Sequence, residues 1–357
     1  MKITKYLFIV IISIFLLLFV TIKSLNFQPK KTESMAINSV GKTATLQAGQ
    51  VLKILNWNVQ FFAGNQNNHF VFEGGKEPWP SKEKVNITLK KAIRIIREEN
   101  PDIITLQEVQ RHSVMSSYVD QVEKLRMLLS LKYKNSTCAY YLKSRFNPSD
   151  AYWGPTDQLL CTFSKYRIAN SKRVALDSKL NIGWLAQQFH PKRAMLIITL
   201  PIKNAVPLTV INTHLSAFAM KTDTQAKQTN QIFNYLTQLR KKNKPVIVTG
   251  DFNLLASTDL VQDVIGYDRH YYSTKENLLE PFFTAFHAFP SKTQLLGSEK
   301  EKFYTYMPVR KLKTADRTLD YVFTTRNVKI LSGKVIQTKA KTVSDHYPIS
   351  ATIKLPG

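Results

Sequence analysis

Polar side chains that can bind metals, hold phosphates or move protons recur where apolar runs of this sequence end. Five short clusters follow such runs, namely LNWNV, LQEV, INTHLS, GDFN and VSDHYP, and a sixth, LDYVF, carries an acid just inside another run. The side chains concerned are Asn58, Glu108, His214, Asp251, Asn253, Asp320, Asp345 and His346. Because the apolar runs predict strands, we expect these side chains at strand rims, where loops converge on a rigid scaffold.

The residue types in these clusters are those that metal-assisted phosphoryl transfer requires. A hard divalent cation prefers oxygen ligands, so the carboxylates of Glu108 and Asp345 suit Mg²⁺. Neutral amides such as Asn58 can hold a phosphate or a water molecule without adding negative charge. Histidines exchange protons near neutral pH. The set therefore predicts a site for metal-assisted phosphoryl transfer.

Each cluster taken alone has a simpler explanation. Gly250, Asp251 and Asn253 are residue types typical of a surface turn. A buried Asn or Asp can cap a turn, and a single His near a strand end is usually a satisfied polar residue. The recurrence of the pattern at several strand ends favours a shared site over separate turns.

Apolar periodicity predicts the elements that position these residues. Strands are expected at 51–59, 102–109, 137–142, 158–164, 172–176, 193–202, 207–214, in the stretch VIVTGDFN at 246–253, and at 319–325, 328–337 and 347–354, and helices at 81–100, 119–131 and 222–242. An irregular loop is expected at 65–80, and the region 263–315 is loop-rich and aromatic. Strands outnumber helices, and the helices fall between them. This order favours two sheets packed face to face with helices outside.

The composition favours an anionic partner. The chain has 357 residues with 50 Lys and Arg against 25 Asp and Glu, and its hydrophobic content of 44% allows a large core. The first 50 residues contain six Lys and one Glu, so most of the net charge of +25 belongs to the remainder. Nucleic acid, a phospholipid surface and a phosphorylated small molecule all fit this charge.

The N-terminus predicts export or anchoring. Residues 6–22 form an uncharged apolar run after Lys2 and Lys5, which predicts a signal anchor or a cleaved signal peptide. Residues 23–50 are polar and are predicted to be a linker, and residues 51–357 form one domain. The domain is expected outside the cytoplasmic membrane, anchored by this segment or secreted if the segment is cleaved.

The sequence contains two cysteines, Cys138 and Cys161. In an exported chain they can pair, and otherwise they are buried thiols. They match no zinc spacing.

Six motifs together resemble the endonuclease/exonuclease/phosphatase superfamily, particularly its deoxyribonuclease- and neutral sphingomyelinase-like members. WNV, PDIITLQEV, NTHL, GDFN, LDYVF and SDHYP follow one another in the family order between residues 52 and 355. The resemblance implies an α/β fold of the α+β type, a four-layer sandwich in which two mostly antiparallel sheets pack face to face between helices. It implies Mg²⁺ as the cofactor, with Mn²⁺ or Ca²⁺ as alternatives.

The resemblance also implies a role for each motif residue. Glu108 resembles the principal metal ligand, with Asn58 supporting metal and phosphate and Asp345 as the second acid near the metal. Asp251 and Asn253 resemble the pair that positions the attacking water and holds the phosphate. His346 resembles the histidine beside the scissile phosphate, with Asp320 orienting it.

Three further positions refine the resemblance. His214 resembles the second catalytic histidine of deoxyribonuclease- and sphingomyelinase-like members. Arg193 lies where several members place a phosphate-binding Arg, although an ordinary surface charge is the alternative. Gln60 is a neutral amide where some members carry an acid, which leaves the number of metals, one or two, open.

The substrate is open at this stage. The resemblance implies a metal-dependent phosphodiesterase acting on nucleic acid or a phospholipid headgroup. The alternatives are a phosphatase of inositol-phosphate-type substrates and a non-catalytic adaptor that retains the fold. The N-terminal segment implies contact with a membrane.

Overall fold

Two seven-stranded sheets form the centre of the fold. The structure is a computed structural model that describes residues 2–64, 79–148, 153–178, 182–217, 222–308 and 314–357. The strands within these ranges are β1 Thr32–Ser34, β2 Ile37–Ser39, β3 Val51–Asn58, β4 Ile103–Val109, β5 Asn135–Asn147, β6 Gly154–Ser164, β7 Asn170–Ala175, β8 Ala194–Ile202, β9 Ala205–His214, β10 Val246–Asp251, β11 His287–Phe289, β12 Asp320–Thr324, β13 Lys329–Val335 and β14 Ile349–Lys354. Sheet I has the order β13-β14-β3-β4-β6-β5-β2, and sheet II has the order β1-β7-β8-β9-β10-β12-β11.

The helices within the described ranges include the three that the sequence predicts. They are α1 Lys2–Leu25, α2 Lys82–Glu99, α3 Gln121–Leu129, α4 Trp184–Phe189, α5 Thr224–Lys241, α6 Glu280–Ala285, α7 Lys292–Leu296 and α8 Gln337–Ala340. The predicted helices at 81–100, 119–131 and 222–242 are confirmed as α2, α3 and α5. Most of the predicted loop at 65–80 lies outside the described residues.

Helix α2 shows how the local sequence fixes these boundaries. The Ser81 hydroxyl accepts a hydrogen bond from the Lys84 backbone N–H at 3.3 Å and so caps the first turn. At the other end Asn100 takes the left-handed conformation, with φ of 48°, and donates its N–H to the Ile96 carbonyl. The buried face of α2 packs in one apolar cluster with Trp57 of β3.

Both faces of both sheets are buried, which confirms the predicted four-layer sandwich. Successive residues of β3 point in opposite directions. Ile54 packs between the sheets with Val210 of β9 and Val322 of β12, whereas Leu55 packs outward in the cluster that holds α2 and α3. On the far side, Phe282 of α6 belongs to the apolar cluster outside sheet II. The aromatic residues of α6 are therefore part of the core.

The topology brings the predicted polar strand ends to one edge of the sandwich. Strands β3 and β4 are parallel neighbours in sheet I, and β9 and β10 are parallel neighbours in sheet II. In register, Asp251 at the end of β10 lies beside His214 at the end of β9 and Asp320 at the start of β12. The carboxyl ends of two parallel pairs thus meet where the polar clusters lie.

A buried polar layer joins the two sheets beneath this edge. The hydroxyls of Thr105 and Thr249 are 2.8 Å apart, and the Gln107 side-chain amide donates to Asn212 Oδ1 at 2.7 Å. The Asn212 amide in turn donates to the Leu106 carbonyl at 3.0 Å. Buried polar groups that are hydrogen-bonded fix one arrangement of neighbouring elements, so this layer sets the spacing of the sheets below the site.

We expect Gly250→Ala to destabilise the protein. A Cβ at residue 250 would lie 2.1 Å from the Thr213 carbonyl oxygen, which is backbone and cannot move aside cheaply. Overpacking of this kind costs about 1–3 kcal/mol. The measurement is the midpoint of denaturant unfolding in detergent solution. Gly183→Ala is the control because a Cβ there meets no atom within 4 Å, and equal midpoints for the two variants would contradict this account of Gly250.

The predicted linker at 23–50 is corrected by the structure. Its β1 pairs with β7 at the edge of sheet II, and its β2 pairs with β5 at the edge of sheet I. Further along, Leu46 is fully buried and bridges to Ile202. These strands have three residues each, too few to show an apolar period, and backbone hydrogen bonds hold them in place. The segment is therefore part of the sandwich.

The open question of the two cysteines is also answered by the fold. Cys138 in β5 lies opposite Cys161 in β6, with a Cα–Cα separation of 4.2 Å, and the two form a disulfide. This pairing agrees with an exported domain.

Candidate active site

A cavity of about 320 Å³ opens at the edge where the polar strand ends meet. Eight of the nine predicted site residues line it, namely Asn58, Glu108, Arg193, His214, Asp251, Asn253, Asp345 and His346. The ninth, Asp320, lies behind His346 and is fully buried. The structure therefore brings all the predicted residues into one place.

Asp251 is the centre of the hydrogen-bond network in this cavity. Its Oδ2 accepts a hydrogen bond from the Asn58 amide at 3.0 Å and lies 3.4 Å from His214 Nε2 and 3.5 Å from His346 Nε2. Its Oδ1 accepts from the Asn253 backbone N–H at 2.9 Å. Burial raises the pKa of the Asp251 carboxyl to about 7. A carboxyl in this range can accept and release a proton near neutral pH.

His346 is held as a charged imidazolium. Its Nδ1 donates to Asp320 Oδ2 at 2.7 Å, and the same oxygen accepts from the Thr305 hydroxyl at 2.7 Å. Burial alone would lower the pKa of His346, but the carboxylates of Asp320 and Asp251 reverse that effect and raise the pKa to about 10. The predicted pairing of His346 with Asp320 is therefore present in the structure.

His214 is held as a neutral imidazole. Burial, together with the positive charges of Arg193 and His346, lowers the pKa of His214 well below its usual value. Its Nδ1 lies 3.3 Å from the Tyr141 hydroxyl, which can donate to a neutral ring. One cavity therefore holds a neutral and a protonated imidazole, an arrangement that divides proton acceptance from proton donation.

Glu108 reaches the cavity through a distortion of β4. The register of β4 with β6 shifts between Leu106 and Val109, and Glu108 has φ of 60°. Left-handed backbone at a non-glycine residue is costly and concentrates at functional sites. Burial raises the pKa of the Glu108 carboxyl, so a nearby cation, which favours the ionised form, would offset that cost.

The amides around Glu108 have defined partners. Asn58 Nδ2 donates to Glu108 Oε1 at 3.2 Å, and Asn58 Oδ1 accepts from the Gln60 backbone N–H at 3.1 Å. Gln60 Oε1 accepts from the Asp345 backbone N–H at 3.3 Å. In this orientation the Asn58 nitrogen faces the carboxylates, so Asn58 holds Glu108 and Asp251 in place. Its contribution of an oxygen ligand to a metal stays a prediction.

A second group of residues is close enough together to hold a cation. One ligand atom each from Asp251, Asp320 and His346 lies within 4.8 Å of the others. However, the protonated ring of His346 occupies the space between the two carboxylates and supplies the positive charge there. Cation binding by Glu108 and Asp345 stays a prediction.

Arg193 provides an unsatisfied cation in the cavity wall. It is 8% exposed, and its Nε and Nη1 have no hydrogen-bond partner among the residues that the structure describes. Its guanidinium lies 5.0 Å from the centroid of the Tyr141 ring. Buried guanidinium donors require acceptors, and an anion in the cavity would supply them.

The sequence did not predict the aromatic wall of the cavity. Arg317 lies between the rings of Tyr306 and Tyr272, 5.1 and 5.4 Å from their centroids. The edge of Tyr306 meets the His346 ring at a centroid distance of 4.9 Å. Tyr272 and Tyr306 come from the loop-rich region 263–315, where no period marks an inward-facing residue. The one feature of the sequence that could have indicated this wall is the position of Arg317, three residues before Asp320.

The sequence matches the Endonuclease/Exonuclease/phosphatase family over residues 55–346, and the chain belongs to this family. This membership confirms the resemblance carried by the six motifs. Members of the family are generally hydrolases that act on phosphoester bonds. No curated protein matches the sequence.

Solved structures share the fold. An endonuclease/exonuclease/phosphatase from Beutenbergia cavernae DSM 12333 is 19% identical, with a TM-score of 0.59 over 86% of this chain and 72% of that one. The human Nocturnin catalytic domain with bound sulfate is 17% identical, with a TM-score of 0.55 over 89% and 97%. ANGEL2, a 2',3'-cyclic phosphatase in complex with adenosine-2',3'-vanadate, is 15% identical, with a TM-score of 0.55 over 90% and 99%.

Proposed function

We propose that this chain is a divalent-metal-dependent phosphodiesterase. The observation that carries the proposal is one cavity in which the buried carboxyl of Asp251 lies between a neutral and a protonated histidine, and in which Nε and Nη1 of the buried Arg193 have no hydrogen-bond partner among the described residues. The Nε and Nη1 donors of Arg193 have no hydrogen-bond acceptor among the described residues, and the oxygens of a phosphoester would supply acceptors. A phosphoester satisfies Arg193 and lies within reach of Asp251 and His346.

The residues on the Glu108 side fit a hard cation. Glu108 and Asp345 offer carboxylate oxygens to the same cavity, and Mg²⁺ is held in proteins by one or two carboxylates and substrate phosphates. Mn²⁺ and Ca²⁺ have the same preference for oxygen. When bound, the cation polarises the phosphoryl oxygens and neutralises the charge that develops on them.

The chain's own residues supply the remaining chemistry. Arg193 binds the phosphate and orients it. Asp251 accepts a proton from the attacking water, with Asn253 holding the carboxyl through its backbone N–H. The His346 imidazolium faces the phosphoryl group with Nε2 and stabilises its negative charge, while Asp320 fixes the ring. The leaving group takes a proton from His346 Nε2, and the neutral ring of His214, whose Nδ1 lies 3.3 Å from the Tyr141 hydroxyl, assists it with a hydrogen bond from Nε2.

Two other functions compete with the phosphodiesterase. A non-catalytic adaptor would not require a competent residue at each predicted position, and all of these residues converge in the cavity. A phosphatase of inositol-phosphate-type substrates uses the same chemistry. The substrate screen described next separates the phosphatase from the phosphodiesterase.

A substrate screen tests the proposal. The full chain in detergent is incubated with bis(p-nitrophenyl) phosphate, p-nitrophenyl phosphate, plasmid DNA, sphingomyelin and phosphatidylinositol phosphates, each with Mg²⁺ and with chelator. We expect diester hydrolysis that chelator abolishes. Preference for the monoester would favour the phosphatase, and inactivity on every substrate would favour the adaptor.

The N-terminal helix leads to a separate prediction. Residues 4–25 form a helix of mean hydropathy 2.7 whose side chains are not buried by the domain, consistent with a signal anchor or a signal peptide. We expect the mature protein to keep this helix and to stay with membranes after a carbonate wash. The check is fractionation with intact mass, and a mature chain that begins beyond residue 22 would show cleavage instead.

A further inference from the structure

The N-terminal helix leaves the domain at the same end as the candidate active site. Its last residues join the body where Asn26 bridges to Ser144 of β5 and the Phe27 N–H donates to the Lys143 carbonyl at 2.9 Å. Two positions earlier in β5, Leu142 pairs with Gln158, which lines the cavity. Two residues of a strand span about 7 Å. Measured along β5, the base of α1 and the cavity therefore lie at nearly the same level, at the same end of the domain.

An exposed apolar surface lies beside the base of α1. We call it the apolar rim, and it consists of the exposed side chains of Trp153, Ile182, Trp184 and Leu185 together with the half-buried Phe146. Trp153 is 68% exposed and Leu185 is 53% exposed. The Trp153 ring meets the ring of Phe146 edge-on at 5.1 Å. Exposed aromatic and aliphatic side chains that lie together mark an interaction surface.

The apolar rim is tied to α1 and to the cavity. The Trp184 ring stacks on Phe19 of α1 with 4.9 Å between centroids. Phe19 lies six residues before the end of α1, which is about 9 Å along the helix axis. The Gln28 amide donates to Gln188 of α4 at 3.0 Å, and α4 is followed at once by His190, which lines the cavity.

A lipid bilayer would provide a partner for α1, for the apolar rim and for the basic residues beside it. Helix α1 has 24 residues and is long enough to cross a hydrocarbon core of about 30 Å. If α1 enters the membrane, Trp184 lies at the depth where interfacial Trp residues are enriched. Lys143 and Arg145, both exposed, adjoin the rim in β5 and would meet anionic headgroups.

We propose that the apolar rim seats the domain on the membrane that α1 enters, so that the cavity opens onto the headgroup layer and the substrate is the phosphodiester of a membrane lipid. This inference rests on the proposed phosphodiesterase function. The basic charge of the domain fits nucleic acid equally well. The exposed Trp and Leu side chains of the apolar rim favour lipid, because a nucleic acid backbone offers them no apolar partner.

The test uses the full chain reconstituted in vesicles with equal parts of phosphatidylcholine, phosphatidylethanolamine, phosphatidylglycerol and sphingomyelin. The Trp153→Glu/Leu185→Glu variant is compared with a matched control, Val206→Glu/Leu331→Glu, at two exposed apolar residues away from the rim. We expect the rim variant to lose about tenfold or more of the rate on vesicle lipid, since two apolar contacts are lost. Both variants should keep the wild-type rate on bis(p-nitrophenyl) phosphate.

A second readout does not depend on activity. Vesicles with brominated acyl chains should quench the tryptophan fluorescence of the wild type, and Trp153→Phe/Trp184→Phe should remove most of that quenching. Equal quenching in wild type and variant, equal lipid hydrolysis by the rim variant and the control, or hydrolysis of plasmid DNA with vesicle lipid left intact would overturn the inference. Failure of the wild type on the soluble diester would instead overturn the proposed function.

Discussion

Replacement of His346 by Ala is expected to lower kcat by about 10²–10⁴-fold, the usual contribution of a positioned proton-transfer group. The ring is 4% exposed, faces Asp251 with Nε2 and is held at Nδ1 by Asp320. It therefore acts on charge that develops in the transition state more than on the bound substrate. We expect KM to change much less than kcat.

Asp320, the hydrogen-bond partner of His346, provides a second test of this prediction. Asp320→Asn should lose part of the same effect, because it weakens the hold on the His346 ring and lowers its positive charge. The double variant should be scarcely slower than His346→Ala, since residues that act as a unit are non-additive. The measurement is kcat of both single variants and the double variant, with circular dichroism to confirm folding.

His287→Ala is the matched control for these variants. His287 lies in β11 outside the residues that line the cavity, and its loss should leave kcat unchanged. Losses that multiply independently in the double variant would remove Asp320 as the orienting partner. Full activity of folded His346→Ala would remove His346 from the mechanism.

Replacement of Glu108 by Gln is expected to weaken Mg²⁺ binding and activity together. The substitution keeps the size of the side chain and removes the anionic oxygen in a place where burial already raises the pKa of the carboxyl. Loss of even an outer-shell group costs about 10–100-fold in metal affinity, and we expect at least this loss for a direct ligand. The measurement is calorimetric titration of Mg²⁺, paired with the Mg²⁺ dependence of the rate.

The control for Glu108 is a carboxylate away from the cavity. Glu123 lies in the first turn of α3 and is exposed, so Glu123→Gln should bind Mg²⁺ as the wild type does. Equal metal dependence in Glu108→Gln and wild type would show that the cation is held elsewhere, for which the group of Asp251, Asp320 and His346 is the next candidate.

The sequence predicted the layers and the site because their signals are local. A buried strand that ends in a polar residue can be recognised from a short stretch of sequence. Neighbouring parallel strands place such ends at the same edge of a sheet. The pairing of Asp251 with His214 and Asp320 across β9, β10 and β12 follows from this rule once the strand order is known. The strand order itself is not a local property, and it was not predicted; the structure supplies it.

The features that were missed depend on contacts between distant segments. The edge strands at 32–34 and 37–39 are too short to show a period, and their stability comes from backbone pairing with β7 and β5. Tyr306 and Arg317 form the cavity wall through ring and guanidinium stacking, which no residue spacing encodes. The distortion at Glu108 is equally invisible, because a left-handed φ at Glu is set by the surrounding fold.

The most direct test of the account is hydrolysis of bis(p-nitrophenyl) phosphate by the wild-type chain in water enriched in heavy oxygen, with Mg²⁺ and with chelator. The account predicts a metal-dependent reaction in which the heavy oxygen appears in p-nitrophenyl phosphate, because the cavity directs water to phosphorus. Heavy oxygen in p-nitrophenol, or a rate that chelator leaves unchanged, would contradict it.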